Sequence, residues 1–462
     1  MPGASSKHII DLHVLVKIVS SGISQKYRSM KKVSDLRWAF FSYGHNLGDF
    51  TRALETAKGM RSSGATVKFF NHGGVHNHHI AAAGIEEENL LPELSWKQHE
   101  AIMDINRYKA KIGTPIPVSS EQWIRMAEAD LKAFDAFQPD GVYAGLSLSC
   151  MISVPYAKLP MVTQVPTVNC PAFIEKGMYN MPNTMERNFF TRYLLPQFIK
   201  RAIMKKVLLS DSAKASLTTF NEARKHFGQA PVYNIVDLVK GDITLLPDLP
   251  ELSGLAEKDL TPGYIYTGPI FSMIPLPVAQ EIKAVYSRPG INIFCSLGSS
   301  GFPEVLKTVI HALKKEEQYN IVCTTTTILD PEEIGPNNER FYAARFMPAH
   351  LVNEMADIAV THGGQGTIQT AVWAGTPLLG IGFQAEQQAN IDGIAQEGMA
   401  IRLPIYRVNE KNILRGVRKL GEDRYKNNAQ RMMKIVRSVD GVAKSVEAMN
   451  RFLLNRNSEH AS

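Results

Sequence analysis

Short apolar runs that stop at a glycine-bearing loop and resume as a helical repeat recur along this chain, and few folds accommodate them. Leu36-Arg37-Trp38-Ala39-Phe40-Phe41 runs into Ser42-Tyr43-Gly44-His45-Asn46-Leu47-Gly48-Asp49; Phe50, Ala53, Leu54, Ala57 and Met60 then share one helical face. Gly64 closes that helix, and Val67-Lys68-Phe69-Phe70 starts another strand. Strand, helix and strand in this order make a parallel βαβ unit, whose ligand-binding loops lie at the carboxyl ends of strands. Phe137 to Tyr143 reads as a helix end entering a strand, and Pro160 to Pro166 as the next strand. The stretch from Asn71 to Glu121 reads as a long irregular, histidine-rich loop.

The same punctuation restarts near the middle. Ile291 to Leu297 is a strand broken by Gly298-Ser299-Ser300-Gly301; Pro303 then opens a helix with Val305, Leu306, Val309, Ile310 and Leu313 on its apolar face. Ile358-Ala359-Val360 leads into Thr361-His362-Gly363-Gly364-Gln365-Gly366-Thr367 and a helix that Gly375 and Pro377 end. With 462 residues the chain exceeds one ordinary domain. The expected architecture is α/β, with two Rossmann-like doubly wound domains. An extension covers 1–34, a first domain 35–250, a Pro- and turn-rich linker 251–263, a second domain 264–436 and a C-terminal helix 437–462, expected to pack back on the first domain.

Composition narrows the classes. Four cysteines without a CxxC pair point to a reduced, cytoplasmic protein. No apolar stretch is long enough to cross a membrane. The extension shows no signal-peptide order of charged, apolar and small residues. A net charge of +7 suits anionic small molecules and does not indicate nucleic acid. Lys200, Arg201, Lys205 and Lys206 form a local basic cluster, which fits either a solvated helix face or a peripheral membrane contact.

Two glycine-, serine- and threonine-rich loops at strand-to-helix junctions point to a phosphate site: bare backbone lets N–H groups approach an anion, and a helix N-terminus adds its dipole. Neither loop carries a Walker lysine or a GxGxxG with a downstream acid, which argues against a P-loop nucleotidase and a dinucleotide oxidoreductase. Asp49 reads either as a helix N-cap or as a general base at a cleft, with His45 as the second candidate base. His72, His76, His78 and His79 match no metal-ligand spacing, and no metal is expected.

Thr361 to Thr367, with Ala374-Gly375-Thr376-Pro377 and Glu386-Gln387-Gln388-Ala389-Asn390, resembles the donor signature of nucleotide-sugar-dependent glycosyltransferases of the UDP-glycosyltransferase superfamily, bacterial antibiotic enzymes included. Ser296-Leu297-Gly298-Ser299 resembles their diphosphate loop, and Gly48-Asp49 their acceptor loop. The resemblance implies a GT-B fold and metal-independent inversion at the anomeric carbon. It implies a nucleotide sugar as co-substrate, with no cofactor, and a small-molecule hydroxyl acceptor. Asp49 falls where such enzymes carry their base. Gly298, Ser299, Ser300, Phe346, Met347, His362, Gly364, Gln365, Gly366, Thr367, Glu386 and Gln387 fall where they hold the donor.

One departure stands out. The family commonly places a ribose-binding glutamate eight residues after the signature histidine, and this chain has Thr370. Threonine cannot accept two hydroxyl donors as a carboxylate does, so a dTDP-sugar, lacking one hydroxyl, fits better than a UDP-sugar. A nucleotide-sugar 2-epimerase or a non-catalytic relative would keep the same donor loops. No motif encodes acceptor identity or oligomeric state.

Overall fold

The computed structural model describes residues 31–106, 114–183, 185–186, 188–211, 213–271, 276–299 and 301–459. Most of the 1–34 extension, and Ser300 of the first glycine-rich loop, lie outside them. Two parallel sheets organise the chain. The first contains β1 (Arg37–Phe41), β2 (Thr66–Asn71), β3 (Glu86–Asn89), β4 (Gly141–Ala144), β5 (Met161–Gln164), β6 (Ile243–Leu246) and β7 (Tyr264–Tyr266) in the order β3-β2-β1-β4-β5-β6-β7. The second contains β8 (Ile291–Ser296), β9 (Tyr319–Thr324), β10 (Phe341–Ala344), β11 (Ile358–Thr361), β12 (Leu378–Gly380) and β13 (Ala400–Arg402) in the order β10-β9-β8-β11-β12-β13. In both sheets the strand order reverses beside the first strand, at β1/β4 and at β8/β11, and ligands of open parallel sheets bind at such reversals.

The pleat of β1 explains why it is apolar throughout. Trp38 and Phe40 face one side, where α1 (Leu47–Ser62) and the C-terminal helix lie; Ala39 and Phe41 face the other, against α2 (Ser120–Phe137). The Phe40 ring stacks 4.8 Å from Tyr143 on β4, and Phe41 5.2 Å from Phe70 on β2. Each such ring buried contributes about 1.5–3 kcal/mol relative to exposure. A further first-domain helix, α3 (Gln197–Leu209), lies between β5 and β6 in sequence. In the second domain α4 (Pro303–Lys314) buries Leu306, Val309, Ile310 and Leu313 on its sheet. α5 (Ala349–Glu354), α6 (Gln365–Ala374) and α7 (Ala385–Gln396) follow. The last helix, α8 (Gly441–Glu459), returns to α1: a Cβ on Gly59 would come within 2.3 Å of Val442, and Trp38 donates to Asn450 at 3.4 Å. Among the described residues no helix is long and apolar enough to cross a membrane.

Two expectations are corrected. The segment 251–263 is no linker, and the second domain does not begin at 264. Tyr264–Tyr266 is β7, paired parallel to β6, so 251–263 is a crossover inside the first sheet. Pro250, just before it, opens a helical turn at Pro250–Ser253, and the segment's glycines sit at positive φ, Gly254 at +77° and Gly263 at +86°. Residues 71–121 also carry more structure than their irregular sequence suggests: helices at His78–Ala82 and Trp96–Asn106, with edge strand β3 between them.

Candidate active site

In the first domain the reversal point is tied together by Asp49. Asn46, not Asp49, is the N-cap of α1; its Oδ1 accepts from the Gly48 and Asp49 amides at 3.1 and 3.3 Å. Asp49 is the third residue of the helix, 1% exposed. Its Oδ2 accepts from the Tyr43 amide at 3.2 Å and the Leu146 amide at 3.1 Å, joining the loops after β1 and β4. A Cβ on Gly145 would lie 3.0 Å from that oxygen, so glycine there lets the carboxylate seat itself. Oδ1 is buried without a hydrogen-bond partner among the described residues. Burial raises the Asp49 carboxyl above the usual range, opposed by Arg52 and the two backbone bonds.

His45 lies in the same loop. Its Nε2 is 3.1 Å from the Leu94 carbonyl, which can only accept, so Nε2 carries the proton and the lone pair is on Nδ1. Its ring stacks 4.9 Å from His99 and meets Trp96 edge-on at 5.8 Å. Burial lowers its pKa, so the imidazole is neutral near neutral pH. The His-rich stretch divides: His72 pairs with buried Asp130 at 2.8 Å, while His76 and His79 face Phe50.

In the second domain the loops after β8 and β11 close on the His362 ring. A Cβ on Gly298 would reach its Cε1 at 2.4 Å, and one on Gly364 its Nε2 at 2.5 Å. Gly298 also holds φ +59°, so glycine is required there twice over. Burial pushes His362 down to about 4, partly offset by a backbone bond to Ser296. Its Nδ1 has no hydrogen-bond partner among the described residues. Gly364 begins α6 without a side-chain cap, and beside Gly366 there is open space, so the first-turn amides remain for an anion. The Thr367 hydroxyl donates to the Gly364 carbonyl at 2.8 Å. Ser299 lies in the facing loop. Phe346, 61% exposed after β10, is an open platform, with Met347 half-buried beside it.

Four residues of the second domain take structural roles that the sequence did not suggest. The Gln387 Oε1 accepts from the Phe383 and Gln384 amides at 2.9 and 3.2 Å, which caps α7. Gln365 is a strut between domains: its Oε1 accepts from Arg52 Nη1 at 3.2 Å and its Nε2 donates to the Pro247 carbonyl at 3.1 Å. Gln369 donates to that carbonyl too, at 2.6 Å. Thr370 is buried, with its hydroxyl donating to Thr367 and accepting from Asn353. Glu386 lies at the start of α7; burial raises its carboxyl, while the Arg52 charge and Asn390 oppose the rise. Arg52, which sequence reasoning missed, therefore faces Asp49, Gln365 and Glu386 together. The only local signal was its place one turn beyond Asp49.

Two parallel sheets, with the Asp49 and His362 loops at their reversal points, define a two-domain α/β protein whose candidate site lies at those reversals. Residues 126–442 match the family model of UDP-glucoronosyl and UDP-glucosyl transferases, well over half of the chain, and the chain belongs to that family. It is 23% identical over 312 residues to a PGL/p-HBAD biosynthesis rhamnosyltransferase of Mycobacterium bovis (strain BCG / Pasteur 1173P2), covering 67% of this chain and 66% of that relative. It is 28% identical over 210 residues to a 4'-demethylrebeccamycin synthase of Lentzea aerocolonigenes, covering 45% of this chain and 49% of that one. The chain thus aligns with two thirds or less of the length of these relatives. Among solved structures, the glycosyltransferase VinC in complex with dTDP superimposes with a TM-score of 0.62 at 17% identity, covering 91% of this chain and all of that one. The spinosyn rhamnosyltransferase SpnG complexed with thymidine diphosphate gives 0.58 at 14%, covering 90% and 100%. These likenesses identify the fold as GT-B.

Proposed function

We propose that the protein is an inverting glycosyltransferase that moves a sugar from a nucleoside-diphosphate sugar to a hydroxyl of a small, apolar acceptor. The observation that carries this reading is the meeting of the two half-sites: Asp49 with its unpartnered Oδ1 and the donor loop of α6 are joined through Arg52 and Gln365. In the proposed step Asp49 Oδ1 takes the acceptor hydroxyl proton as the oxygen attacks the anomeric carbon. The bond from that carbon to the diphosphate breaks on the opposite face, which inverts the centre. The departing charge falls to the first-turn amides of α6 and to the Ser299 loop; neutral His362 adds its single N–H once that proton turns from the Ser296 carbonyl to a phosphate oxygen. Phe346 stacks the nucleobase, and Glu386 accepts from sugar hydroxyls. The nucleotide sugar is a co-substrate, and no metal is needed.

A dTDP-sugar is the proposed donor. Thr370 gives no carboxylate for two ribose hydroxyls, and the structural neighbours VinC and SpnG carry dTDP and thymidine diphosphate. The deciding experiment incubates the protein with dTDP- and UDP-sugars and a panel of apolar alcohols and phenols. Acceptor-dependent release of nucleoside diphosphate with a glycosylated product supports the reading. Release without any glycoside, or none with any donor, overturns it.

A further inference from the structure

Residues 188–209 form a surface unlike the rest of the molecule. Phe189, Phe190, Tyr193, Leu194, Phe198 and Leu209 are all exposed here, Phe198 at 73% and Phe189 at 68%. Apolar side chains of this size exposed singly are ordinary, but a contiguous group marks an interaction surface. The group is contiguous: the Phe189 and Tyr193 rings lie 5.2 Å apart, and α3 continues directly from this turn.

Residues 188–209 hold five basic residues and no acidic one. Along α3 the outward face carries Phe198, Ala202, Lys205 and Leu209, with Arg201 and Lys206 on its flanks. A shallow hollow between Ala202, Lys205, Lys206, Leu209 and Ser210 completes it. The inward face is anchored by Lys200, buried in an ion pair with Glu186, so this lysine is lost to the surface. Neither Lys205 nor Lys206 has a carboxylate partner among the described residues.

The platform is braced. Arg192 lies 4.6 Å over the Tyr406 ring and Arg407 lies 5.5 Å over the Tyr193 ring, which ties the first-domain segment to the second domain. Asn180, just upstream, donates to Asp392 on α7. The exposed aromatics therefore project from a fixed base at the domain seam.

We propose that this surface docks the protein on an anionic lipid bilayer. Exposed aromatic and aliphatic side chains beside Lys205 and Lys206, which have no carboxylate partner among the described residues, match the interfacial zone of a membrane, where rings enter the headgroup region and ammonium groups meet lipid phosphates. A second copy of the chain would present the same basic residues and oppose them, so charge complementarity favours the lipid.

Vesicle flotation of the full chain tests this without reference to glycosyl transfer, so it stands or falls apart from the proposed activity. Vesicles of phosphatidylcholine with about one third phosphatidylglycerol should carry the protein upward, and phosphatidylcholine alone or raised salt should not. Lys205→Ala with Lys206→Ala should weaken partitioning about 25–30-fold, at roughly fivefold per charge. Phe189→Ser with Phe198→Ser should abolish it, with an unchanged circular dichroism spectrum. The proposal is overturned by absent flotation on anionic vesicles, or by flotation that ignores both variants. A dimer that the serine variant turns into monomer overturns it too, because a second copy then covers the surface.

Discussion

Arg52 Nη2 stands 4.0 Å from Asp49 Oδ1, one turn along the same helix, and both side chains are buried. That separation is too long for a hydrogen bond, so the guanidinium acts on the carboxylate through its charge. Burial raises Asp49 and Arg52 is the largest opposing influence. Arg52→Met should therefore raise the Asp49 pKa further. The acidic limb of the kcat/KM profile, where a base must be deprotonated, should shift to higher pH. A profile that keeps its limb in the variant separates Arg52 from the base.

Asp49→Asn isolates the proton-accepting role. The asparagine carbonyl can still accept from Tyr43 and Leu146, so the two loops stay joined and the melting temperature should move little. Turnover should fall by about 10²–10⁴-fold while nucleotide binding persists. His45→Ala is the control: its Nδ1 also carries an unpartnered lone pair. Loss of turnover in that variant, with Asp49→Asn active, would move the base to the imidazole.

The central strands and both glycine-rich loops of the second domain were legible because their signals are local: an apolar run of strand length, then glycine, then helical spacing. What stayed hidden depends on distant partners. Strand β3 reads Glu86-Glu87-Glu88-Asn89, a poor strand by propensity, yet Lys68 on β2 pairs with Glu86 and Glu88 at 2.8 and 2.9 Å and holds the edge. The crossover at 251–263 resembles a linker because a tight crossover and a linker use the same proline and glycine turns. Arg52 and Gln365 are 313 residues apart, and their contact exists only once two domains have docked. The Asp49 cap reading failed by three residues, since Asn46 was an equally good capping residue that stood first.

His362 should bind a diphosphate as a neutral group. Its pKa of about 4 lies below the unfolded value of 6.5, so it carries no proton to lose between pH 6 and 8. Nucleoside-diphosphate affinity should accordingly show no step from this residue across that range, by titration calorimetry. His362→Ala should cost about 1.5–3 kcal/mol of binding, the range for a hydrogen bond to a charged group. Gly298→Ala should be at least as damaging, because its methyl collides with the ring. Unchanged affinity in either variant removes the His362 loop from the site.

Donor choice follows from Thr370. With its hydroxyl bonded to Thr367 and Asn353, it offers no carboxylate to ribose. For one sugar carried on two nucleotides, kcat/KM should be higher with dTDP than with UDP. Equal or better use of the UDP-sugar refutes this.

The joint between the domains should titrate. Asp248 follows Pro247, whose carbonyl receives Gln365 and Gln369, and its own carboxylate accepts from Thr167 at 2.9 Å and the Leu249 amide at 3.0 Å. Burial outweighs those bonds and raises it from 3.8 to about 7. Between those values the folded chain holds a proton that the unfolded chain has released. Its stabilising contribution is therefore complete below about pH 4 and is lost as pH rises toward 7, at up to about 1.4 kcal/mol per pH unit. His362 has the opposite sign in the same range, because its lowered pKa makes folding less favourable as pH falls. A difference between two proteins cancels it. Asp248→Asn cannot titrate, so its melting temperature relative to the native protein should climb steadily from pH 4 to pH 7 and level off above. Scanning calorimetry of both proteins at each pH reads this directly. A difference that stays constant with pH would mean that Asp248 is ionised throughout, held by its hydrogen bonds against its burial.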